Sequence, residues 1–447
     1  MTEAAFWSDL TDRGMVQQTT NETMGDWIAS QLGSNDELTC YCGFDPTADS
    51  LHIGSLLPVV GLRRLKNAGL KPIALVGGAT GMIGDPSGKT TERTLLDADA
   101  LDANVKGIGG QLETLLEGTA GQDFLMVNNY DWFGDIRFVD FLRDVGKHFS
   151  VNMMVAKESV RARLEDRDHG ISYTEFSYML LQAYDFLHLF ETHGCRLQVG
   201  GSDQWGNITA GIDLIHRKHH GEEIEGITFP LITTSSGKKF GKSEKGNIWL
   251  DRKRTHPYFM YKYFFDTDDA DVVRFLKCFT FVPLEEIGGL ATSMETEPHL
   301  RATQKALARQ VTGMVHGAET AEACAGLEPA MHHDDVEAFE KHAETLGLLD
   351  PSSIGSEESS TDLPVVHRPL SELQGEGLLA ADLAIACGLF KSKGEVRREV
   401  GSNSGFRIDG KPVESFDYRI TSQLLGSRRV LQIRKGKKNK RMVCFHG

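Results

Sequence analysis

Leu38-Thr39-Cys40-Tyr41-Cys42-Gly43-Phe44-Asp45, followed shortly by His52-Ile53-Gly54-Ser55, is the stretch that decides the fold. The first run is strand-like, and the second opens a helix-like pattern over Gly54–Ala68. Where a strand hands over to a helix through a glycine, free N–H groups and the helix dipole favour an anion. The missing Cβ also lets a phosphate approach the backbone. His52 is placed to hydrogen-bond a phosphate oxygen there, with Asp45 and Thr47 as further polar groups just upstream. Taken alone, the same residues also describe a helix start with one incidental histidine.

Far downstream, Lys239-Phe240-Gly241-Lys242-Ser243 sets two ammonium groups around Gly241 in a Gly/Ser/Lys loop that reads as mobile. Such a loop can close over a triphosphate and stabilise its transition state more than its ground state. Gly88-Lys89-Thr90 and Gly241-Lys242-Ser243 each end like a P-loop. That motif needs a glycine where Ile83 and Ser236 stand. Gly77-Gly78-Ala79-Thr80-Gly81-Met82-Ile83-Gly84 lacks the glycine spacing of a dinucleotide fold. A P-loop kinase and a dehydrogenase are therefore excluded.

Strand-like runs at Leu38–Asp45, Pro72–Gly78, Phe124–Asn128 and Cys195–Gly200 alternate with helix-like ones at Gly54–Ala68, Ile136–Val145, Tyr173–Phe190 and Gly206–Arg217. This alternation predicts a mostly parallel α/β sheet. Residues 256–346 read as helical, and the Ser-rich acidic run from Asp350 to Ser360 reads as a linker. The expected plan is a catalytic domain over 1–235, the lysine loop and a helical domain over 236–346, a flexible linker over 347–377 and a small module over 378–447. The 447 residues carry a net charge of -15, yet from Lys391 onward fifteen Lys and Arg stand against five Asp and Glu. The clusters Arg428-Arg429, Arg434-Lys435 and Lys437-Lys438-Asn439-Lys440-Arg441 point to a polyanion partner at that end. Seven scattered cysteines without a C-x-x-C pair fit reduced thiols in the cytoplasm. His219-His220 and His332-His333-Asp334 read as solvated surface, so no metal site is expected, and no apolar run is long enough to span a membrane.

The helix over Tyr173–Phe190 begins with a capping box, Ser172-x-x-Glu175. Its Tyr178, Gln182 and Asp185 share one face at helical spacing, while Met179, Leu180, Ala183, Phe186 and Leu187 cover the others. Such a stripe either faces water or lines a polar pocket, and the dense flanking apolar residues make the pocket at least as good a reading. Phenol, amide and carboxylate are what a small zwitterion with a polar side chain needs. Gly200-Gly201-Ser202-Asp203-Gln204-Trp205-Gly206-Asn207 follows a strand and resembles a nucleoside-binding turn, with Asp203 set to meet a ribose.

With these segments together, the chain resembles the bacterial-type tyrosyl-tRNA synthetases, whose H-I-G-H and K-M-S-K-S signatures match His52–Ser55 and Lys239–Ser243. Tyr41 through Gly54, Gly77 through Gly88, Phe176 through Phe186 and Gly200 through Asn207 are similar to that family's motifs. The resemblance implies a Rossmann-like catalytic domain, then a helical domain and a small α+β RNA-binding module of the alpha-L type, carried by Ala381–Cys387 through Ile408–Val413. It further implies that Tyr41 and Asp185 read a phenol hydroxyl, and that Asp85, Tyr178 and Gln182 hold an α-ammonium with Gln204 nearby. Asp45, Gly54, Ser55, Gly201 and Asp203 would serve ATP. Thr47, His52, Lys239, Lys242 and Ser243 would act on the phosphates, and Lys89 and Arg93 on pyrophosphate.

The implied reaction is two-step acyl transfer from tyrosine through tyrosyl-adenylate to the 3′ adenosine of tRNA(Tyr). ATP is a substrate with Mg2+, with no dedicated protein site for the ion, and the implied assembly is a homodimer with tRNA lying across both subunits. Because the substrate carboxylate is already a nucleophile, positioning and charge stabilisation carry the first step. Ser55 stands where the first signature has its second histidine, so ATP affinity or turnover is expected to differ while activity survives. Two other readings remain at this point. A tryptophan-specific relative is opposed by the phenol readers Tyr41 and Asp185, and a catalytically silent RNA-binding paralogue by His52, Lys239 and Lys242.

Overall fold

The computed structural model describes residues 3–33, 37–87, 97–165, 170–237, 240–243, 246–353, 363–402, 405–436 and 439–447. These fall into two compact units, Met1–Leu250 with Asp268–Pro298, and Asp251–Thr267 with His299–Gly447. Among the described residues, no helix is long and apolar enough to cross a membrane.

The first unit is built on six strands, β1 (Gln18–Thr19), β2 (Thr39–Phe44), β3 (Lys71–Val76), β4 (Leu125–Asn128), β5 (Cys195–Gly201) and β6 (Glu225–Phe229), in the order β1-β6-β5-β2-β3-β4. β1 runs antiparallel to β6, and every other neighbouring pair is parallel. A separate antiparallel pair, β7 (Lys242–Ser243) and β8 (Gly246–Asn247), follows. Most of β2 and β3 is buried, as expected of parallel strands covered on both faces, which is why they read as apolar runs. From β2 the chain builds outward to β3 and β4, then returns to β5 on the other side. The crevice beyond the carboxyl ends of β2 and β5 is therefore the topological switch point, where open α/β sheets bind ligands. Both Asp45 and Asp203 lie just past those ends.

The helix Leu56–Asn67, entered through a tight turn at Ile53–Ser55, links β2 to β3, and Trp205–Lys218 links β5 to β6. The helix Ala98–Leu116 between β3 and β4 was not expected, because Gly107, Gly109 and Gly110 weaken its pattern. Gly107 has a packing reason, since a Cβ there would come within 2.1 Å of the Asp49 carbonyl. The same helix props the chain leading to His52: Asn104 Nδ2 donates to the Pro46 carbonyl at 3.0 Å, and Gln111 Oε1 accepts the Leu51 N–H at 2.8 Å.

The helix expected over Tyr173–Phe190 runs on to His193, where Gly194 closes it in the left-handed conformation. Only half of its predicted capping box forms. Ser172 Oγ accepts the Glu175 N–H at 3.2 Å, but the Glu175 carboxylate is taken by both terminal nitrogens of Arg163, at 3.1 and 2.8 Å. Arg163 also donates to the Gly170 carbonyl at 3.0 Å, and both side chains of the pair are buried. A buried bidentate ion pair outweighs a helix-end hydrogen bond once both partners leave water.

The second unit contains the helices Pro257–Phe265, Ala302–His316, Ala318–His332 and Val336–Thr345, and a five-stranded sheet. The sheet comprises β9 (Val365–Pro369), β11 (Phe406–Ile408), β12 (Lys411–Pro412), β14 (Val430–Lys435) and β15 (Asn439–His446). Beside it, β10 (Leu378–Leu379) pairs antiparallel with β13 (Arg419–Ile420). β9 lies within residues 347–377, read from the sequence as linker. It pairs in parallel with β15, from Val365 opposite Met442 to Pro369 opposite His446, with Val365 buried. Much of the basic tail is engaged inside this unit. Asp334 accepts Arg434 at 2.8 Å and Lys440 at 2.5 Å, Arg429 reaches Glu344 at 2.8 Å, Arg428 reaches Asp409 at 2.8 Å, and Lys435 pairs with Glu395. Among the described residues, the exposed cations outside these pairs include Lys391, Arg397, Arg398, Lys411 and Arg441.

Arg163→Met should destabilise the protein by about 3–5 kcal/mol, because it strands a buried carboxylate. Adding Glu175→Leu should restore most of that loss. Urea unfolding curves of the single and double variants check this, and a single variant as stable as the parent would contradict it.

Candidate active site

Asp185 is 2% exposed on the inward face of the helix Tyr173–His193. Asn129 Nδ2 donates to one of its oxygens at 3.0 Å and Trp132 Nε1 to the other at 2.9 Å. Burial pushes its carboxyl pKa well above the usual range, and these two donors pull it back towards the ionised form. Phe186, next on the helix, packs against Tyr41 of β2 with ring centroids 5.2 Å apart. The Tyr41 hydroxyl is buried, and no described group hydrogen-bonds it. A carboxylate whose oxygens are fixed by donors, near enough to an unpartnered phenol that, after burial, its charge also raises the phenol's pKa, is a site that a hydroxyl-bearing ligand completes.

A second chain of bonds runs towards the sheet's crevice. Tyr178 Oη donates to Asp45 Oδ2 at 2.8 Å, and Thr80 Oγ1 donates to Asp45 Oδ1 at 2.8 Å. Asn129 Nδ2 reaches the Thr80 hydroxyl at 3.0 Å, which joins this chain to Asp185. Burial first, and then the Asp45 and Asp85 charges, push the Tyr178 phenol pKa well up, so it remains a donor. Gly77 has to be glycine, because a Cβ there would lie 2.3 Å from both Asp45 Oδ1 and Thr80 Oγ1.

Asp85 accepts Gln204 Nε2 at 2.6 Å and the Ser87 N–H at 2.9 Å. Asn207 Nδ2 donates to Gln182 Oε1 at 3.0 Å and to Gln204 Oε1 at 3.1 Å, which ties the helix face to the turn after β5. Asn129 and Thr80 thus link Asp185 to Asp45 and Tyr178, Asn207 links Gln182 to Gln204 and through it to Asp85, and Tyr41 is held by its packing on Phe186.

The two signatures meet. Gly241 has φ +87°, and a Cβ on it would lie 3.3 Å from the Gly54 nitrogen. The backbone binds the segments on either side: Ile53 N–H to the Ile248 carbonyl at 2.9 Å, Ile248 N–H to the Gly241 carbonyl at 3.1 Å and Leu250 N–H to the Leu51 carbonyl at 2.8 Å. A Cβ at Gly54 would sit 2.8 Å from the His52 ring, which in turn meets Trp249 edge-on at 6.2 Å between centroids. Lys242 and Ser243 make up β7, held by its pairing with β8. Lys239, Lys89 and Arg93 lie outside the described residues. Ser55 closes the turn into the helix Leu56–Asn67 without a side-chain cap bond. Thr47 and Asp203 are exposed, and Asp203 sits in the turn Ser202–Gln204 that feeds the helix Trp205–Lys218.

Sequence reading missed Asn129, Trp132, Thr80, Asn207 and Leu231. Thr80 and Asn207 lie inside quoted motifs, and Asn129 and Trp132 follow a predicted strand end, but nothing in their spacing shows that they face Asp185. Leu231 is an exposed apolar side chain 3.6 Å from where a Cβ on Gly201 would stand.

This mostly parallel sheet, with its switch point and two abutting glycine signatures, belongs to a chain that the class I tRNA synthetase family matches. The family described as tRNA synthetases class I (W and Y) matches residues 33–327. The tyrosine--tRNA ligases of Bacillus caldotenax and Geobacillus kaustophilus are each 45% identical over 439 residues, covering 98% of this chain and 99% of theirs. A C-terminally truncated Aspergillus nidulans mitochondrial tyrosyl-tRNA synthetase superposes with a TM-score of 0.62 at 31% identity, over 72% of this chain and 92% of that one. Tryptophanyl-tRNA synthetase from Encephalitozoon cuniculi, at 14% identity and TM-score 0.53, shares the fold over 75% of this chain and 94% of its own. The chain belongs to the bacterial tyrosine--tRNA ligase family.

If Asp185 in its ionised form accepts a hydrogen bond from a ligand phenol, ligand binding should be lost as pH falls through its raised pKa. Asn129→Ala removes one stabilising donor and should raise that pKa further. The acid limb of tyrosine binding should then move to higher pH, with affinity at neutral pH about tenfold lower. Calorimetric titrations across pH check the shift, and an unmoved acid limb would contradict the role given to Asn129.

Proposed function

We propose that the chain joins L-tyrosine to tRNA(Tyr) at the expense of ATP, with the tyrosine side chain read by Tyr41 and Asp185. The observation that carries this reading is the buried, donor-fixed Asp185 accompanied by the unpartnered Tyr41 hydroxyl. A tyrosine phenol donates to the carboxylate and accepts from Tyr41, whereas phenylalanine leaves the Tyr41 hydroxyl unpaired and adds no third donor to the buried carboxylate. The ammonium group is assigned to Asp85, Tyr178 and Gln182, with Gln204 orienting Asp85.

In the first step the tyrosine carboxylate attacks the α-phosphate of ATP, forming the acyl–phosphate bond and releasing pyrophosphate. No general base is required. Gly54 and Gly201 allow close backbone approach, Asp203 is assigned to the ribose, and Asp45 and Ser55 lie on the ATP side. Charge on the departing pyrophosphate falls to Thr47, His52, Lys239, Lys242 and Ser243, with Lys89 and Arg93 on the same group. Mg2+ is read as arriving with ATP. In the second step the hydroxyl of the tRNA 3′ adenosine attacks the activated carbonyl, and AMP leaves.

Of the expected four-part division, 1–235, 236–346, 347–377 and 378–447, the last boundary moves back, because β9 at Val365–Pro369 belongs to the sheet of the C-terminal part. The last part is the RNA-binding module, supported by the exposed cations Lys391, Arg397, Arg398 and Lys411. A homodimer is the assembly we favour. From Phe138 to Tyr173, the large apolar side chains of Phe138, Val139, Val151, Met153 and Tyr173 are exposed, up to 73% for Val139, and a partner copy would cover such side chains. All seven cysteines are buried free thiols, which fits a cytoplasmic setting.

Amino-acid-dependent ATP–pyrophosphate exchange across the twenty amino acids tests the activity. Exchange with tyrosine alone is expected, and exchange with none would overturn it. Replacing Lys391, Arg397, Arg398 and Lys411 with alanine should leave exchange intact. It should also weaken tRNA charging and reduce its salt dependence by up to about 0.9 in log–log slope for each phosphate no longer neutralised. Unaltered charging would remove the module from the tRNA interface.

A further inference from the structure

The helix Asp269–Phe279 contributes no residue to the site, yet it grips the segment that carries the second signature. Asp271 is 3% exposed, and its Oδ2 accepts the Ser235 N–H at 2.8 Å. Its other oxygen accepts Arg274 at 2.9 Å, and the same guanidinium donates to the Thr233 carbonyl. One turn further on, Phe240 stacks on Phe279 at 4.8 Å and meets Phe275 edge-on at 4.9 Å, all three rings buried. Gly241 follows at once and abuts Gly54.

The far end of this helix is fixed to the first signature. Arg64, on the helix that begins just after Ser55, donates to the Thr280 carbonyl, and Arg63 and Arg64 cover the Phe281 ring at 4.4 and 4.7 Å. A carboxylate buried as deeply as Asp271 is retained only against a cost in desolvation. Two of the three groups it organises are loop backbone atoms, so the result of keeping it is the placement of Thr233 and Ser235.

We propose that Asp271 is a positioning residue for tyrosine activation. With Arg274 it holds Thr233 and Ser235 so that Phe240 docks on Phe275 and Phe279 and Gly241 is set against Gly54. This inference rests on the assignment of Lys239 and Lys242 to the triphosphate.

The test combines tyrosine-dependent ATP–pyrophosphate exchange with equilibrium tyrosine binding for Asp271→Ala, Asp271→Asn, Arg274→Met and Lys242→Ala. Asp271→Ala should lower kcat about a hundredfold while tyrosine affinity stays within about twofold, since displacement of catalytic groups by about 1 Å costs that much. Asp271→Asn keeps an oxygen for Ser235 and should recover to within about threefold of the parent, with Arg274→Met about tenfold down. Should Asp271→Ala fail to fold, the ordering of the other two variants decides. Parental kcat in Asp271→Ala, parental kcat in both milder variants, or kcat falling in step with tyrosine affinity would each overturn the inference. An unchanged Lys242→Ala would overturn the assignment beneath it, whereas an impaired Lys242→Ala beside a normal Asp271→Ala overturns only the role of Asp271.

Discussion

A carboxylate held ionisable inside the protein is the constraint on which the rest depends. Asp185 lies in the interior, where desolvation opposes its charge, and the N–H groups of Asn129 and Trp132 offset that cost. Supplying those donors requires the chain just after β4 to lie against the helix Tyr173–His193. Supplying the second polar group requires Tyr41 of β2 to point into the same cluster. The sheet order, which places β2 between β3 and β5, satisfies both demands and leaves the crevice open beside them.

Glycines meet the other demand, that two distant segments come together at one place, as the proposed action on one triphosphate requires. At Gly241 a side chain would press on the Gly54 backbone, at Gly54 one would collide with the His52 ring, and at Gly77 one would displace the carboxylate of Asp45. The helix Ala98–Leu116 steadies the chain before His52, and the helix Asp269–Phe279 steadies the chain before Gly241. Each signature thus has its own support, and the two supports belong to the same compact unit.

The legible parts of this architecture were those written in local pattern. The β2-to-helix handover, the parallel strands and the polar stripe of Tyr178, Gln182 and Asp185 followed from periodicity, burial and the chemistry of glycine. Asn129, Trp132 and Asn207 were not legible, because their roles arise from tertiary adjacency that spacing does not encode. Glu175 is the instructive miss. Its position fits a capping box, but a distant-facing Arg163 offered a stronger partner once both were buried. The basic tail is a similar case: charge counting located it, but Arg428, Arg429, Arg434, Lys435 and Lys440 pair with carboxylates of their own unit, so fewer cations face outward than the count implied.

Ser55 closes the first signature's turn, and the elements that bring the two signatures together do not need an imidazole there. Under the proposed function, specificity falls instead to the buried groups Asp185 and Tyr41. The most direct test is the ratio of kcat/KM for tyrosine over phenylalanine in pyrophosphate exchange, in the parent protein and in Tyr41→Phe. A site built around a buried hydroxyl acceptor and donor predicts a parental ratio of about 10⁴–10⁵ that falls when Tyr41 loses its hydroxyl. A parental ratio near that of a merely hydrophobic pocket, about 10–200, would contradict the account.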